Sequence, residues 1–592
     1  MKLLRLKVTD PVGFRSLQTG FELYFRDEWQ LNDENSQDLL MQQEFAPIIC
    51  IGPNGCGKSN VLELLAAIFY QLEILRVRRH FLPRNFIYDE EDNPNGYKEN
   101  NGSPAAFELE YLIKVPNEYI NPAGESFAHV RIIKKINSSP NIDWLNYEQF
   151  NIENFTKVSD REREFLLPQY ILGYSSGENE ILSLPFFKMR FIQFDEYWDA
   201  LQAQLPYSGR PETRLAYIDN SFSQAILLCN LLFYDNEILK PFQEEVGLVD
   251  VKMFRIIIKR QIPISELQAE AFLSANNSQP HPAIVKDDDT GIISLKLVKL
   301  LEADDDSAKN FDPMISRLKR CATCFFVDED SDTLYLDYYV NEATKQAFQK
   351  NFSSPIELFQ AFQVLLSLNL YSVSDKLKSE LYCSNSHYVS ETVPTLASDE
   401  RIMRFKDVYL TKKNISQPVL LKALSDGEHQ LLHSLGLCLL FKNTNSLFFL
   451  DEPETHFNPD WRSKFVSLLK QCFSEQQYDP SHEMLITTHA PFLVSDSTPE
   501  KVFLFKKEND QVITKHPNFN TLGASVNKIT MNAFGKKETI GGYAQTLLDK
   551  LQLRFEKGEQ TESLLEEIDQ TLGDSVEKML LLKTLNDRLE EQ

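Results

Sequence analysis

The sequence predicts an α/β fold with a large mixed α/β insertion, a helical C-terminal tail and no long coiled coil. One observation is PIICIGPNGCGKSNVLELLAAIF at residues 47–69, which runs from an apolar strand through a glycine-rich turn into a helix with apolar periodicity. A second is the apolar run at 447–450, typical of a buried parallel strand, which ends at an Asp-Glu pair. A third is that strand-like segments, rather than heptad repeats, occupy the long interval between the two.

The glycine-rich turn at 52–59 has the pattern G-x-x-x-x-G-K-[ST]. In such a loop the backbone N–H groups surround phosphates, Lys58 would reach the β- and γ-phosphates, and Ser59 would ligate Mg²⁺. A turn that merely joins strand to helix is the alternative, but the flanking strand and helix favour a phosphate loop for ATP. The candidate nucleotide-binding residues here are Asn54, Gly55, Cys56, Gly57, Lys58, Ser59 and Asn60.

The Asp-Glu pair after the strand at 447–450 is the candidate acidic partner of this loop. Carboxylates at the C-terminal end of a parallel strand lie where nucleotides bind in open α/β sheets. We expect Asp451 to hold Mg²⁺ together with Ser59, and Glu452 to polarise the attacking water. Taken alone, an acidic pair after a strand is as often a helix cap.

Composition limits the partners of the chain. Its 61 basic and 86 acidic side chains give a formal net charge of −25, so the whole chain is expected to repel nucleic acid. Nucleic-acid contact is therefore expected only through partners or a local basic patch. The densest basic stretch, RVRRHFLPR at 76–84, is the candidate patch, although we favour a solvated helix end as its interpretation.

The cysteines and the apolar runs indicate the compartment. The eight cysteines lie mostly in apolar runs without regular spacing, which is typical of reduced core residues. Cys321 and Cys324 form a CxxC pair without a second pair at zinc-site spacing, so we expect two core cysteines. The apolar runs are too short to span a bilayer and the first residues lack a signal-peptide pattern. We expect a cytoplasmic protein with no membrane partner.

Two further stretches resemble the ABC ATPases. The segment LSDGEHQ at 424–430 is similar to the family signature L-S-x-G-E-x-Q, with Ser425, Gly427 and Glu428 at the motif positions. His489 ends a predicted strand and resembles the switch histidine, although a lone strand-end histidine is more often structural. The resemblance implies an ABC-type ATPase head of two lobes, with a mixed sheet that carries the Walker A and B motifs, in which Glu452 and His489 complete hydrolysis.

Four regions follow from these motifs. We assign residues 1–200 to a first ATPase lobe with the phosphate loop, and 201–400 to an inserted α/β region. Residues 401–520 would form a second lobe with signature, acidic pair and switch histidine, and 521–592 a helical tail. The tail has the apolar spacing of a docking or dimer surface, and packing on its own lobe is equally open.

The opening LKVTDPVGFRSL resembles the SMC/RecF/OLD-like branch of these ATPases. In that branch an arginine at the position of Arg15 can contact nucleotide phosphates. The glutamine that senses magnesium is left open between Gln169 and Gln193, and we give Gln169 as the candidate metal-site residue. The segment after His489 lacks the D-x-D triplet of the Toprim nuclease that OLD-type members carry, so no nuclease site is expected in this chain.

More narrowly, the chain resembles the ATPase family of Septu-type anti-phage systems (PtuA), including members found beside retrons. The segments that carry this resemblance are YSSGENEILSLPFFKMRF, LSDGEHQ, DEPETHFNP and GASVNKITMNAFG. It implies a head-to-tail dimer with two shared ATP sites, a partner HNH nuclease and, in retron-linked versions, a reverse transcriptase with its RNA–DNA hybrid. Two alternatives stay open: a RecF- or SMC-like DNA-repair ATPase that acts directly on DNA, and a scaffold with an incidental ATPase.

Overall fold

The structure is a computed structural model of the full chain. The residues it describes are 1–592 except 27–44, 79–89, 92–93, 95–101, 121–125, 153–154, 156, 177–179, 203–213, 267–268, 271–282, 289–290, 298–313, 387–392, 394–395, 475–481, 536–539 and 591–592.

The strands are numbered in chain order through the described residues. They are β1 Lys2–Val8, β2 Glu22–Tyr24, β3 Ile48–Ile51, β4 Phe107–Lys114, β5 Phe127–Lys134, β6 Asn141–Trp144, β7 Tyr170–Ser175, β8 Leu215–Tyr217, β9 Leu248–Lys259, β10 Gln261–Pro263, β11 Ile284–Lys286, β12 Ile293–Lys296, β13 Cys324–Asp328, β14 Thr333–Tyr339, β15 Met403–Lys412, β16 Val419–Leu420, β17 Ser446–Asp451, β18 Glu483–Thr487, β19 Val502–Glu508 and β20 Gln511–Lys515.

The α-helices of the described part are numbered in the same way. They are α1 Lys58–Arg78, α2 Asp160–Leu166, α3 Ser183–Gln202, α4 Asn220–Phe233, α5 Met314–Cys321, α6 Glu342–Asn351, α7 Pro355–Ser367, α8 Asp375–Cys383, α9 Asp426–Leu440, α10 Pro459–Ser474, α11 Pro491–Ser495, α12 Val526–Ala533, α13 Gly542–Glu556, α14 Thr561–Thr571 and α15 Val576–Glu590.

A seven-stranded sheet forms the centre of the fold, in the order β20-β19-β3-β18-β17-β7-β8. All neighbouring strands are parallel except the β19–β20 pair. The strands β3, β7, β17 and β18 are buried at every residue, which explains why they have continuous apolar runs instead of alternating patterns. The α/β class predicted from the sequence is confirmed.

Helix α1 is buried between this parallel sheet and an antiparallel sheet of order β2-β1-β4-β5-β6. Residues 61–74 of α1 are all buried, so the helix is apolar around most of its circumference. Alternate strand residues face opposite sides: Leu447 and Phe449 pack in the core with α1, whereas Phe448 and Leu450 pack with α4, α9 and α10. The phosphate-loop helix therefore has a rigid layer on each side.

The inserted region contributes a five-stranded antiparallel sheet, β13-β14-β9-β15-β16, and a small sheet, β10-β12-β11. The sheets cross both of the boundaries assigned from sequence. β8 lies beyond residue 200 yet pairs with β7 of the central sheet, and β15 lies beyond residue 401 yet pairs with β9 of the insertion. Strand pairing thus joins the insertion and the two lobes more closely than the linear assignment implied.

The C-terminal helices α13, α14 and α15 pack on one another around a small core of their own, formed by residues such as Leu551, Leu564 and Leu585. The predicted helical tail is therefore present. Through the described residues, no single helix is long and apolar enough to cross a membrane. One pair of helical segments, bent by 112° between Pro355–Ser372 and Lys376–Cys383, meets the length and composition of a span.

Candidate nucleotide site

Strand register brings the candidate residues to one edge of the central sheet. Asp451 at the end of β17 lies opposite Thr487 of β18 on one side and Ser175 of β7 on the other. Thr487 lies opposite Cys50 of β3, directly before the phosphate loop. Because these strands are parallel, their C-terminal ends coincide, and the loop, the acidic pair and the switch histidine follow three neighbouring strands.

The phosphate loop requires its glycines for steric reasons. Gly52 has φ +152°, and a Cβ there would lie 2.3 Å from the carbonyl oxygen of Phe505. Gly57 has φ +93°, and its Cβ would lie 3.0 Å from the hydroxyl of Ser16. Both glycines of the motif thus hold a backbone that L side chains rarely adopt, and α1 begins immediately after the second.

Lys58 folds back over this loop. Its Nζ donates to the carbonyl oxygens of Gly52 at 3.0 Å and Pro53 at 3.1 Å, and lies 3.2 Å from His489 Nε2. The side chain is buried, so its ammonium group is fixed over the loop by these oxygens. Lys58 is the lysine of the phosphate-loop motif, and in such loops this residue is the one that contacts the β- and γ-phosphates.

Asp451 and Ser59 form the candidate magnesium pair. The Ser59 hydroxyl donates to Asp451 Oδ1 at 2.7 Å, and the Thr487 hydroxyl donates to the same oxygen at 2.5 Å. Burial raises the pKa of Asp451, while these two hydrogen bonds act in the opposite direction. A buried carboxylate beside a hydroxyl is a hard-oxygen donor set that fits Mg²⁺, whose charge would favour the ionised carboxylate.

Glu452 and His489 lie together at the open side of the site. Glu452 Oε1 is 3.3 Å from His489 Nε2, and their side chains are 37% and 35% exposed. The hydrogen bond with His489 lowers the pKa of Glu452, so its carboxylate is ionised and can accept a proton from water. Glu452 also has φ +50°, a left-handed conformation that is uncommon outside glycine and is often found at functional sites.

Glu454 is a candidate residue that the sequence reasoning missed. It is buried beside this cluster, and its Oε1 accepts a hydrogen bond from the hydroxyl of Thr488. Burial raises its pKa to about 7, and its Oε2 is a buried oxygen with no hydrogen-bond partner among the described groups. Its signal in the sequence was a second glutamate two residues after Glu452, but only the fold shows that this one points inward.

The resemblance implied that Arg15 contacts nucleotide phosphates, whereas in the structure its guanidinium lies against α1 and is engaged by protein groups. Its Nε and Nη2 donate to Glu63 Oε1 at 2.9 and 2.8 Å, and Nη1 donates to the carbonyl oxygen of Asn385 at 2.8 Å. Glu63 also accepts from Asn60 at 3.3 Å, and Asn60 in turn accepts from the Ser16 hydroxyl at 2.6 Å. Arg15 and Asn60 therefore belong to a network that fixes the first turns of α1.

The signature segment forms the N-terminus of α9. Ser425 is the N-cap residue, and it forms a capping box with Glu428, which also pairs with Lys412 at 2.5 Å. Burial would raise the pKa of Glu428, but the hydrogen bonds from Lys412 and Ser425 prevail and lower it. A Cβ on Gly427 would lie 2.8 Å from the carbonyl oxygen of His456, so this position packs against the loop that follows the acidic pair.

The remaining candidates are not brought to the site. Gln169 precedes β7 and is exposed, at the opposite end of that strand from Ser175 and Asp451. Gln193 lies within α3, where its side chain is buried. Neither is placed as a magnesium-site residue. The basic stretch at 76–84 lies largely outside the described residues, and the side chains of its helical part are likewise not described.

The CxxC pair differs from the expectation in one position. Cys321 is buried at the end of α5, but Cys324 is exposed at the start of the edge strand β13, so only one of the two is a core residue. The expectation of two core cysteines is therefore wrong for Cys324, because β13 has no neighbouring strand on its outer side among the described residues. Across the described ranges, no group of three or more His, Cys, Asp or Glu residues could hold a metal ion.

Comparison with known proteins adds a family match for part of the chain. Residues 325–495 match the family described as AAA domain, putative AbiEii toxin, Type IV TA system. This segment contains the signature, Asp451, Glu452 and His489, whereas the phosphate loop lies outside it. No curated protein matches the chain.

Two solved structures are similar to the chain at 11% identity. One is described as the SmcHead bound to the C-winged helix domain of ScpA, with a TM-score of 0.31, and the match covers 87% of this chain and 97% of that one. The other is the SMC head domain from Thermotoga maritima, with a TM-score of 0.29 and coverage of 88% and 100%. The AAA-domain match over part of the chain, together with the phosphate-loop geometry, supports an AAA-type ATPase domain that binds ATP.

Proposed function

We propose that the chain is the ATP-binding and hydrolysing subunit of a bacterial anti-phage defence complex, an ABC-type dimer that controls a partner HNH nuclease. The observation that carries the ATPase assignment is the meeting of Lys58, Ser59, Asp451, Glu452 and His489 at one sheet edge. These residues come from three separate parts of the sequence. Their meeting is best explained by a reaction that needs all of them.

Each residue has a role that its contacts allow. Lys58 and the backbone N–H groups of the loop bind the phosphates of ATP, and Ser59 and Asp451 hold Mg²⁺. The ion would neutralise charge on the phosphates. Glu452 orients the attacking water and accepts its proton, because its carboxylate is ionised and partly exposed. His489 positions Glu452 from one side, and it is also within reach of Lys58.

The signature residues act on the ATP site of a second copy. The Ser425 hydroxyl interacts with Glu428 of its own helix cap rather than with Lys58 or Ser59 of its own site. With one phosphate loop and one signature per chain, a head-to-tail dimer places Ser425 and Gly427 over the phosphates bound to the partner. The N-terminus of α9 supplies N–H groups and a positive dipole there. Asp426, where the family commonly has glycine, adds a carboxylate nearby and slows turnover.

The defence role rests on the resemblance of the narrower sequence segments. It implies that ATP keeps the dimer closed and a partner HNH nuclease inactive, until infection disturbs the nucleotide state. In retron-linked complexes a reverse transcriptase with its RNA–DNA hybrid would join the same assembly. The net charge of −25 supports nucleic-acid contact through these partners rather than along the whole chain.

The proposal is tested by purifying the tagged chain from its own operon and identifying what accompanies it, by mass spectrometry and nucleic-acid staining. Recovery of a small HNH protein, with or without an RNA–DNA hybrid, supports the defence complex. Recovery of the ATPase alone, with hydrolysis that DNA strongly stimulates, contradicts it and favours direct DNA repair. If the Glu452→Gln variant still gives full defence, the scaffold with an incidental ATPase is favoured instead.

A further inference from the structure

A cavity of about 420 Å³ lies where the first lobe, the insertion and the segment before the signature meet. Helices α3 and α4 form one wall, and residues after α7 together with the start of β15 form the other. None of its lining residues belongs to the phosphate loop or to the cluster of Asp451, Glu452 and His489. Its volume is within the range of small-molecule sites.

Three cationic side chains line this cavity. None of them has a carboxylate partner within the described part of the chain. Arg401 donates to the carbonyl oxygen of Leu396 at 3.2 Å, and Arg404 donates to that of Ser398. Lys422 is exposed and makes no hydrogen bond or ion pair with the described residues. Because main-chain carbonyls do not neutralise a charge, the cavity has an excess of positive charge within an acidic chain. Such a surface favours an anion.

The opposite wall is fixed and partly aromatic. The Arg190 guanidinium lies 4.6 Å from the ring centre of Phe187 and 4.7 Å from that of Phe222. It also donates to Asp219 at 2.7 Å and to the carbonyl oxygen of Tyr217 at 2.8 Å, which neutralises and orients it. This wall therefore offers preorganised apolar surface rather than a further free charge.

We propose that this cavity binds a free nucleoside phosphate at a site separate from the phosphate loop. Arg401, Arg404 and Lys422 would hold its phosphate, as guanidinium groups form charge-assisted hydrogen bonds with phosphate oxygens. A bare phosphate would leave most of the cavity unfilled, whereas a nucleoside would contact the wall of Phe187 and Phe222. Arg401 and Arg404 lie on the insertion side, and Lys422 lies three residues before Ser425, so one ligand would bridge both parts. The assignment does not depend on the proposed defence role.

Binding is tested on the full chain with Lys58→Ala, which weakens phosphate-loop binding. AMP, GMP, inorganic phosphate and a thymidine hexanucleotide serve as probes in equilibrium dialysis. AMP or GMP should bind saturably at one site per chain, and more tightly than inorganic phosphate. Adding Arg401→Ala or Arg404→Ala should weaken binding about tenfold or more, since each removes a charged hydrogen-bond donor.

Lys406→Ala removes a charge from the same strand without touching the cavity, so it should leave the affinity unchanged. If the arginine variants fail to fold, as judged by thermal unfolding, exposed Lys422→Ala provides the same test. The proposal is overturned if neither nucleotide binds at millimolar concentration, or if the cavity variants bind like the control. Tighter binding of the hexanucleotide than of AMP would also overturn it, in favour of a nucleic-acid groove.

Discussion

Ser59 and Asp451, which are 392 residues apart in the sequence, are in direct contact, with the serine hydroxyl 2.7 Å from the aspartate Oδ1. The pair joins the first turn of α1 to the end of β17. The contact brings a hydroxyl oxygen and a carboxylate oxygen together at the start of α1, and in the proposed ATP site these two residues would hold Mg²⁺.

Asp451→Asn should abolish magnesium-dependent turnover. The amide keeps the size of the side chain but loses the anionic oxygen, so we expect ATP hydrolysis to fall roughly 100-fold or more. Steady-state phosphate release over a range of Mg²⁺ concentrations measures the effect. Exposed Asp460→Asn in α10 is the matched control and should retain the wild-type rate. If both variants hydrolyse ATP at the same rate, the assignment of Asp451 as a magnesium ligand is wrong.

Glu452→Gln should separate ATP binding from hydrolysis. The neutral amide cannot accept a proton from water, and loss of general-base catalysis lowers rates by about 10²–10⁴-fold. ATP affinity, measured with a fluorescent analogue, should change little because Glu452 does not line the phosphate loop. Glu500→Gln at an exposed position is the control. A variant that still turns over ATP normally would show that another group activates the water.

Two inactive chains should complement each other if the ATP sites are shared. Lys58→Ala damages the phosphate loop and Ser425→Arg blocks the signature, so a mixed dimer contains one fully intact site. Equal mixing should restore up to about one quarter of wild-type hydrolysis, because half of the dimers are mixed and each has one active site of two. Each variant alone should be inactive. No recovery after verified subunit exchange would argue against the head-to-tail arrangement.

Gly427→Ala should destabilise the second lobe. The added methyl would lie 2.8 Å from the carbonyl oxygen of His456, a backbone atom that cannot rotate away. Overpacking of this kind costs about 1–3 kcal/mol, which urea unfolding can measure. Gly542→Ala is the control, because a methyl group at that position would have nothing within 4 Å among the described residues. A stability loss of the same size in both variants would contradict the steric explanation.

Glu454 should make stability depend on pH near neutrality. Burial raises its pKa from 4.5 to about 7, so the neutral form is favoured in the folded protein. The associated stabilisation is complete below pH 4.5 and is lost as the pH rises through 7, a change of about 3 kcal/mol. Thermal midpoints between about pH 5 and 8 measure it. The Glu454→Gln variant should show a weaker dependence of stability on pH. An unchanged slope would show that another group causes the pH dependence.

Part of the site could be predicted from sequence because its determinants are local. A phosphate loop needs glycines, a lysine and a serine at fixed spacing, and the strand before it must be apolar to be buried on both faces. Asp451 and Glu452 could be predicted for the same reason, because they lie at the end of an apolar strand. The Ser425–Glu428 capping box is also local, since its residues are three positions apart.

Long-range features could not be predicted in this way. Gln169 was a candidate because of its neighbours in sequence, but the direction of β7 places it at the wrong end of the sheet. Arg15 was placed near phosphate, but its pairing with buried Glu63 on α1 depends on how the two segments pack. Such outcomes depend on strand direction and register, which no local pattern contains.

The sequence by itself determined the α/β class, the phosphate loop, the acidic pair and the helical tail, because each depends on residue types at short, fixed spacings. Only the tertiary structure decided that Ser59, Asp451 and Thr487 share one hydrogen-bonded cluster, and that Glu454 is buried beside it. It also decided that Arg401, Arg404 and Lys422 surround one cavity. These groups meet because parallel strands align their ends and because the sheets join segments hundreds of residues apart, a relationship that chain order does not express.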